Sequence, residues 1–279
     1  MRVLFVLLFT IITLTSTGQY FSFDELRFGV FTGTNYAIPA GEDMVDYKDD
    51  LEDLVDDIED NGGDAKARIS ARLGFHLGVH AEYPLQDNFA VISSLSYSQK
   101  GFNIRTEYED KYTTSYTTQN VITSNLTTQY VELVDNSKFK ANVNLNYLDW
   151  PIGVKYQLDN GVNFFGGLLF SFLVSENVKY ESENEDQSLN YTYDNSGNVS
   201  GANIITNSDS DSDTDDYDDT IDDDDPNSTL TGYQLGVGYG NDSYNLSFKL
   251  NNNSNFGDIN GYGDDNKNIT LQLSYEVFF

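Results

Sequence analysis

The sequence predicts an all-β protein: an eight-stranded antiparallel up-and-down transmembrane β-barrel with long extracellular loops and one short loop helix. Three observations predict it. Eight segments alternate apolar and polar residues, each near the nine to eleven residues that a tilted membrane strand needs. Short turn-forming connections alternate strictly with long ones, as they do in a barrel with both termini at its periplasmic end. The last segment, Ile269 to Phe279, has one wholly apolar face and stops on an aromatic residue, the form of a final strand that closes a barrel and signals its assembly.

Residues 1–18 read as a secretory signal peptide. Arg2 supplies the positive start, Val3 to Leu14 the apolar run, and Ser16-Thr17-Gly18 a small-residue cleavage site. Residues 19–279 form the barrel domain. The first strand, Glu25 to Thr34, puts Leu26, Phe28 and Val30 on one face. The second, Ile69 to Tyr83, alternates most cleanly: Ile69, Ala71, Leu73, Phe75, Leu77 and Val79 on one side, Ser70, Arg72, His76 and His80 on the other. The third starts at Asn88, the fourth runs from Val143 to Tyr156, and the fifth from Val162 to Ser175. Leu230 to Tyr239, Tyr244 to Leu250 and Ile269 to Phe279 complete the set.

Pro84 to Asp87, Leu158 to Gly161 and Gly240 to Ser243 are short turns rich in Pro, Gly, Asn and Asp. The long connections fall at about 35–68, 101–142, 176–229 and 251–267. In the first of them Met44, Tyr47, Leu51, Leu54, Val55 and Ile58 recur at helical spacing with acids between, so a short amphipathic helix is expected at the extracellular rim.

The formal charge of -30 excludes nucleic acid and anionic headgroups as direct partners and leaves divalent cations or basic proteins. With no cysteine there is no disulfide and no lipoprotein anchor. Strand parity sends Arg27, Arg72, His76, His80, Glu82, Lys155, Lys249 and Glu276 into the lumen. An eight-stranded barrel has room there only for side chains, so mixed charges should pair and plug it. His76 and His80 are the two histidines, and in a strand they stand roughly 13 Å apart, too far to share one metal ion. Neither G-x-S-x-G nor H-E-x-x-H occurs, so the chain reads as non-enzymatic.

From Ser208 to Asp225 the third long connection carries eleven aspartates and no basic residue, and it should be disordered when unliganded. Asp209, Asp211, Asp213 and Asp215 resemble the opening of a calcium loop. The turn glycine and the bidentate Glu at position twelve are missing, which leaves weak calcium binding and no other cofactor.

Four phrases resemble the PorT-like outer-membrane β-barrel family widespread in Bacteroidetes: Gly78-Val-His-Ala-Glu-Tyr-Pro-Leu85, Leu95-Ser-Tyr-Ser-Gln-Lys-Gly101, Asn144 through Tyr156 (NLNYLDWPIGVKY), and Gly166-Gly-Leu-Leu-Phe-Ser-Phe-Leu173. The resemblance implies a small integral barrel of the outer membrane, in contact with its lipid and inserted by its assembly machinery. It implies no single activity, though some relatives are linked to protein secretion. The acidic inserts at about 35–68 and 176–229 depart from the compact family pattern. The expected function is a structural or surface-binding scaffold whose acidic extracellular loops engage cations or a protein partner. The alternative is an accessory component of an outer-membrane secretion assembly.

Overall fold

The computed structural model describes residues 25–279 except 87, 120–125, 197, 216–228 and 254–266, and the side chains of 119 and 213–215. The signal peptide expected at residues 1–18 and the acidic stretch from 216 to 225 therefore lie outside the described residues. Nine strands and one helix follow in order: β1 (Arg27–Ala40), α1 (Glu42–Asp60), β2 (Asp64–Gln86), β3 (Phe89–Gln119), β4 (Leu126–Gln157), β5 (Val162–Tyr193), β6 (Val199–Asp215), β7 (Thr229–Gly240), β8 (Tyr244–Asn253) and β9 (Lys267–Phe278).

Eight of the strands close a ring. Neighbours in sequence pair antiparallel from β1 to β5, β5 pairs with β7, β7 with β8, β8 with β9, and β9 returns to β1. The remaining strand, β6, stands outside the ring and pairs with the far half of β5, Val178 to Tyr193. The near half of β5, Val162 to Phe172, pairs with β7. Asn241 Oδ1 accepts from the backbone N–H groups of Ser243 and Tyr244, which turns β7 into β8 in three residues. This short-turn end also holds the start of β1 and the end of β9, since Gly29 faces Phe278.

The outward face of the ring is apolar. Phe28, Val30, Leu77, Val79, Val91, Leu95, Val154, Leu235, Phe248 and Leu273 are all exposed there. At the short-turn end Phe89, Tyr156 and Phe164 stand side by side on adjacent strands, with Tyr239 and Tyr244 around the rim. At the other margin Tyr97 pairs with Leu148, and Phe75 stacks 5.7 Å from Tyr97. Leu148 to Tyr156 inclusive is nine residues, about the length of a strand crossing an apolar band ~25 Å tall.

Two strands continue far beyond that band. β3 and β4 have 31 and 32 residues, where about ten suffice to cross a membrane. They remain paired up to Gln119 and Leu126. The connections expected to be long, at 101–142 and 176–229, are long and in large part strand: the chain extends the barrel strands as hairpins and adds β6. Backbone groups that an irregular loop would have to present to water are paired here in ladders. The period-two signal fades because both faces of these outer segments are polar.

Register shifts mark where the belt ends. β2 carries one extra residue against β3 between Ala71 and His76, and β5 one extra against β4 beside Asn146 and Tyr147. A one-residue slip moves each following side chain to the opposite face. Leu73, Phe75, Leu77 and Val79 face outward as expected. Ile69, expected on the same face, instead packs inside against a cluster of Phe102, Ile104, Val143, Leu145, Tyr147 and Val178.

Met44 of α1 completes this cluster, and Leu51 is also buried. The helix thus lies over the mouth at the long-hairpin end. Its C-terminus is closed by Gly62, whose φ of 91° suits the left-handed position. Gly62 N–H donates to Glu59 O and Gly63 N–H to Ile58 O. Eleven of its nineteen residues are acids. No base sits in the last turn to complement the negative helix end, so packing rather than intrinsic helicity holds it.

Candidate functional site

Inside the belt, alternation delivers polar side chains into a space that they fill. Lys249 Nζ lies 2.8 Å from Glu276, which also accepts hydrogen bonds from Asn245 and Ser247. The Lys249 ammonium sits 4.6 Å from the Phe31 ring centre. Lys155 donates to Glu82, and His80 stands edge-on to Phe278 beside that pair. Lys100 donates to Asp149 at 2.8 Å, and the Ser171 hydroxyl donates to the same carboxylate oxygen at 2.5 Å. All six charged groups of these pairs are buried. A buried ion pair is tolerable when both charges are matched and hydrogen-bonded, and breaking one leaves a charge stranded.

His76 has two partners. Its Nδ1–H donates to Asn35 Oδ1 at 2.6 Å, so Nε2 accepts from the Ser274 hydroxyl at 2.8 Å. The order serine, histidine, amide carbonyl is that of a hydrolytic triad. All three side chains have 0% exposure. Asn35 is itself fixed by donating to Ser98 and to two backbone carbonyls. Gly33 makes room: a Cβ there would stand 2.7 Å from His76 Cε1 and 1.8 Å from Leu273 O. A substrate could not reach the serine, so the arrangement is an interior hydrogen-bonded brace.

Beyond the belt, β2 to β6 form a curled outer sheet. Gln187 ties it across: its N–H donates to Asp135, its Oε1 accepts from Val134 N–H, and its carbonyl accepts from the Tyr112 hydroxyl. A groove of about 540 Å3 opens between its ends, lined by residues that include Lys66, Glu107, Lys138, Glu183, Glu185 and Asp209. Charges alternate across the strands: Lys66 faces Glu107, Glu107 faces Lys138, and Lys138 faces Glu183. The Arg105 guanidinium hydrogen-bonds Glu107 and holds its carboxyl below the usual range.

An apolar belt with aromatic margins around a filled polar interior fits a strand-built membrane protein. The outer membrane protein beta-barrel domain family matches residues 18–261. The chain belongs to that family. It is an outer-membrane β-barrel protein. Among solved structures it is similar to Ail, the attachment invasion locus protein of Yersinia pestis, at 12% identity, covering 91% of this chain and 99% of Ail with a TM-score of 0.36. Neisserial surface protein A is also 12% identical, covering 90% of this chain and 97% of that one with a TM-score of 0.33. No curated protein matches the chain.

For this outer-membrane barrel, strand parity places most of the expected lumen residues. His76, His80, Glu82, Lys155, Lys249 and Glu276 are buried inside. Arg72 is half-buried, with Nη1 3.5 Å from Val143 O. Arg27 is at the short-turn rim, half-buried, paired with Asp242 at 2.5 Å and lining the same cleft as Glu82 and Lys155. It is the first residue of β1, where the wall no longer encloses the side chain. Lys100 and Asp149 were not singled out from sequence. The same alternation carries them, since Lys100 follows Ser96 and Ser98 on the face opposite Leu95 and Tyr97, and Asp149 precedes Trp150. Asn35 and Ser274 also lie on lumen positions, but nothing in the sequence ties them to His76.

The aspartate run is the main revision. Residues 208–215 belong to β6. The disorder expected for Ser208 to Asp225 therefore does not hold for its first part. Asp209 and Asp211 are exposed on the strand, two residues and about 6.6 Å apart. Asp213 and Asp215 lie on the same strand, with their side chains outside the described set. Among the described residues no group of three His, Cys, Asp or Glu is arranged to hold a metal ion.

Proposed function

We propose that this barrel is a non-enzymatic surface scaffold whose long-hairpin end faces the cell exterior and engages cations or a protein partner. One observation carries the reading: the chemistry not consumed by internal pairing is concentrated on the outer sheet and α1, above a lumen that its own side chains fill. Glu185, Asp209 and Asp211 have no basic partner among the described residues, while the buried lysines 100, 155 and 249 are each matched by a carboxylate. Acidic side chains on ordered strands offer cations a fixed array, and any calcium held there is bound weakly by few ligands. The buried setting of His76 and Ser274 favours a non-catalytic role. The four phrases resembling PorT-like barrels support that narrower affiliation. They also favour a second reading, an accessory component of a secretion assembly, which predicts stable co-purification with other envelope proteins.

The test is calorimetric titration of calcium, with magnesium as control, into the detergent-folded chain. The comparison protein carries Asn at 209, 211, 213 and 215. Saturable calcium heat that disappears in the substituted chain supports cation engagement at β6. Equal heats for both proteins and both ions would reject it.

A further inference from the structure

We propose that the free edge of β6 accepts an extended cationic polypeptide strand, with Lys or Arg at alternate positions, by β-strand addition. The proposal rests on the reading of the long-hairpin end as a binding surface and names the partner's chemistry and mode.

The first observation is an open edge. Among the described residues β6 forms a ladder with β5 alone. Each of its residues from Asn203 to Ser212 is exposed. Proteins ordinarily guard such edges with charged side chains, lysine above all, with prolines, bulges or shortness, or with a covering element. The charges on β6 are all acidic, which guards it against acidic strands and not against a basic one. β6 has 17 residues and contains neither Lys nor Pro. Its register shift lies at the turn, between Thr192 and Tyr193, far from the aspartates. Among the described residues no second strand pairs with its outward backbone N–H and C=O groups, the groups that strand addition uses.

The second observation is charge. Elsewhere in the outer sheet acids meet bases on neighbouring strands, as Glu181 meets Lys140 at 3.3 Å and Glu183 meets Lys138 at 3.7 Å. On β6, Asp209 and Asp211 face Asn184 and Ser182 of β5, which cannot neutralise them. Among the described residues no base pairs with them, and the position beside β6 opposite β5 is the one an added strand would occupy. The sequence repeats the alternation at Asp213 and Asp215, so a partner with a base at every second residue would match the row. Exposed Ile204 and Ile205 lie on the other side of the run, giving such a strand an apolar step. A second copy of this chain is disfavoured, because joining two β6 edges sets acid rows side by side.

Fluorescence anisotropy with the full folded chain in detergent tests this. The probes are a labelled ten-residue peptide alternating Lys and Thr, an isomer with five Lys followed by five Thr, and the alternating peptide N-methylated at every second residue in either register. The alternating peptide is expected to bind at least about tenfold tighter than the block isomer. One N-methylated register should lose binding, and Asp209→Asn with Asp211→Asn should weaken it about tenfold, with barrel folding checked by gel mobility. Equal binding of alternating, block and N-methylated peptides would overturn strand addition and leave a merely acidic surface. No peptide binding alongside positive calcium heat would overturn this proposal but not the binding-surface reading. Absence of both would overturn the two together.

Discussion

At the scale of single residues, the interior is governed by the rule that a buried charge must keep its partner. Lys100 holds Asp149 with nothing basic to replace it within its network. Lys100→Met therefore leaves a stranded carboxylate and should lower stability by about 3–5 kcal/mol, read from the urea midpoint of unfolding in detergent. Replacing both partners, Lys100→Met with Asp149→Leu, should recover much of that loss. If the single and double substitutions are equally destabilising, the pair is not matched as described. Parity made most of this lumen legible, because a strand exposes alternate residues to one side whatever they are. Which lysine meets which carboxylate was not legible, since Lys155 reaches Glu82 across 73 residues of chain. Nor was the bracing of His76, which depends on Gly33, Asn35 and Ser274 arriving from two other strands.

At the scale of elements, α1 shows how packing overrides local preference. Its helical spacing was readable; of the six apolar residues at that spacing, Met44 and Leu51 are buried while Leu54 is exposed. Its place at the rim was also readable, but the apolar layer beneath it was not, because that layer exists only through the inward turn of Ile69 and the outer ends of β3, β4 and β5. A charge-laden helix held by two buried side chains should detach when one is removed. Met44→Ala is expected to cost about 2–5 kcal/mol locally and to expose Glu59 to a glutamate-specific protease while the belt stays intact. Unchanged cleavage would show that α1 is held otherwise. The bulges were illegible for the opposite reason: an extra residue leaves the apolar composition intact and changes only which face it serves.

The outer hairpins bear their own pH signature. Glu107 has its carboxyl lowered by Arg105. Its contribution is therefore present above the ordinary carboxylate range and lost as pH falls through the lowered value. Hydrogen exchange at 105–109, corrected for intrinsic rate, should accelerate in that window relative to 89–97. Arg105→Gln should remove the difference, and a response indifferent to Arg105 would refute the assignment.

At the scale of the whole molecule, three layers stack along one axis: a polar plug at membrane level, an apolar layer under α1, and an acidic outer sheet. The sequence carried the first through alternation and the short turns, and carried the third only as charge. Its order as strands depends on cross-strand pairing between segments up to 49 residues apart, as Asn136 with Glu185, which no local pattern reports. The central claim is that the lumen is sealed and that function resides on the outer sheet. Planar-bilayer recording of the folded chain tests it most directly. A lumen filled by its own side chains gives no conductance steps above baseline in the native protein. Stable ohmic steps that change in Lys249→Met would show that the lumen conducts and would contradict it.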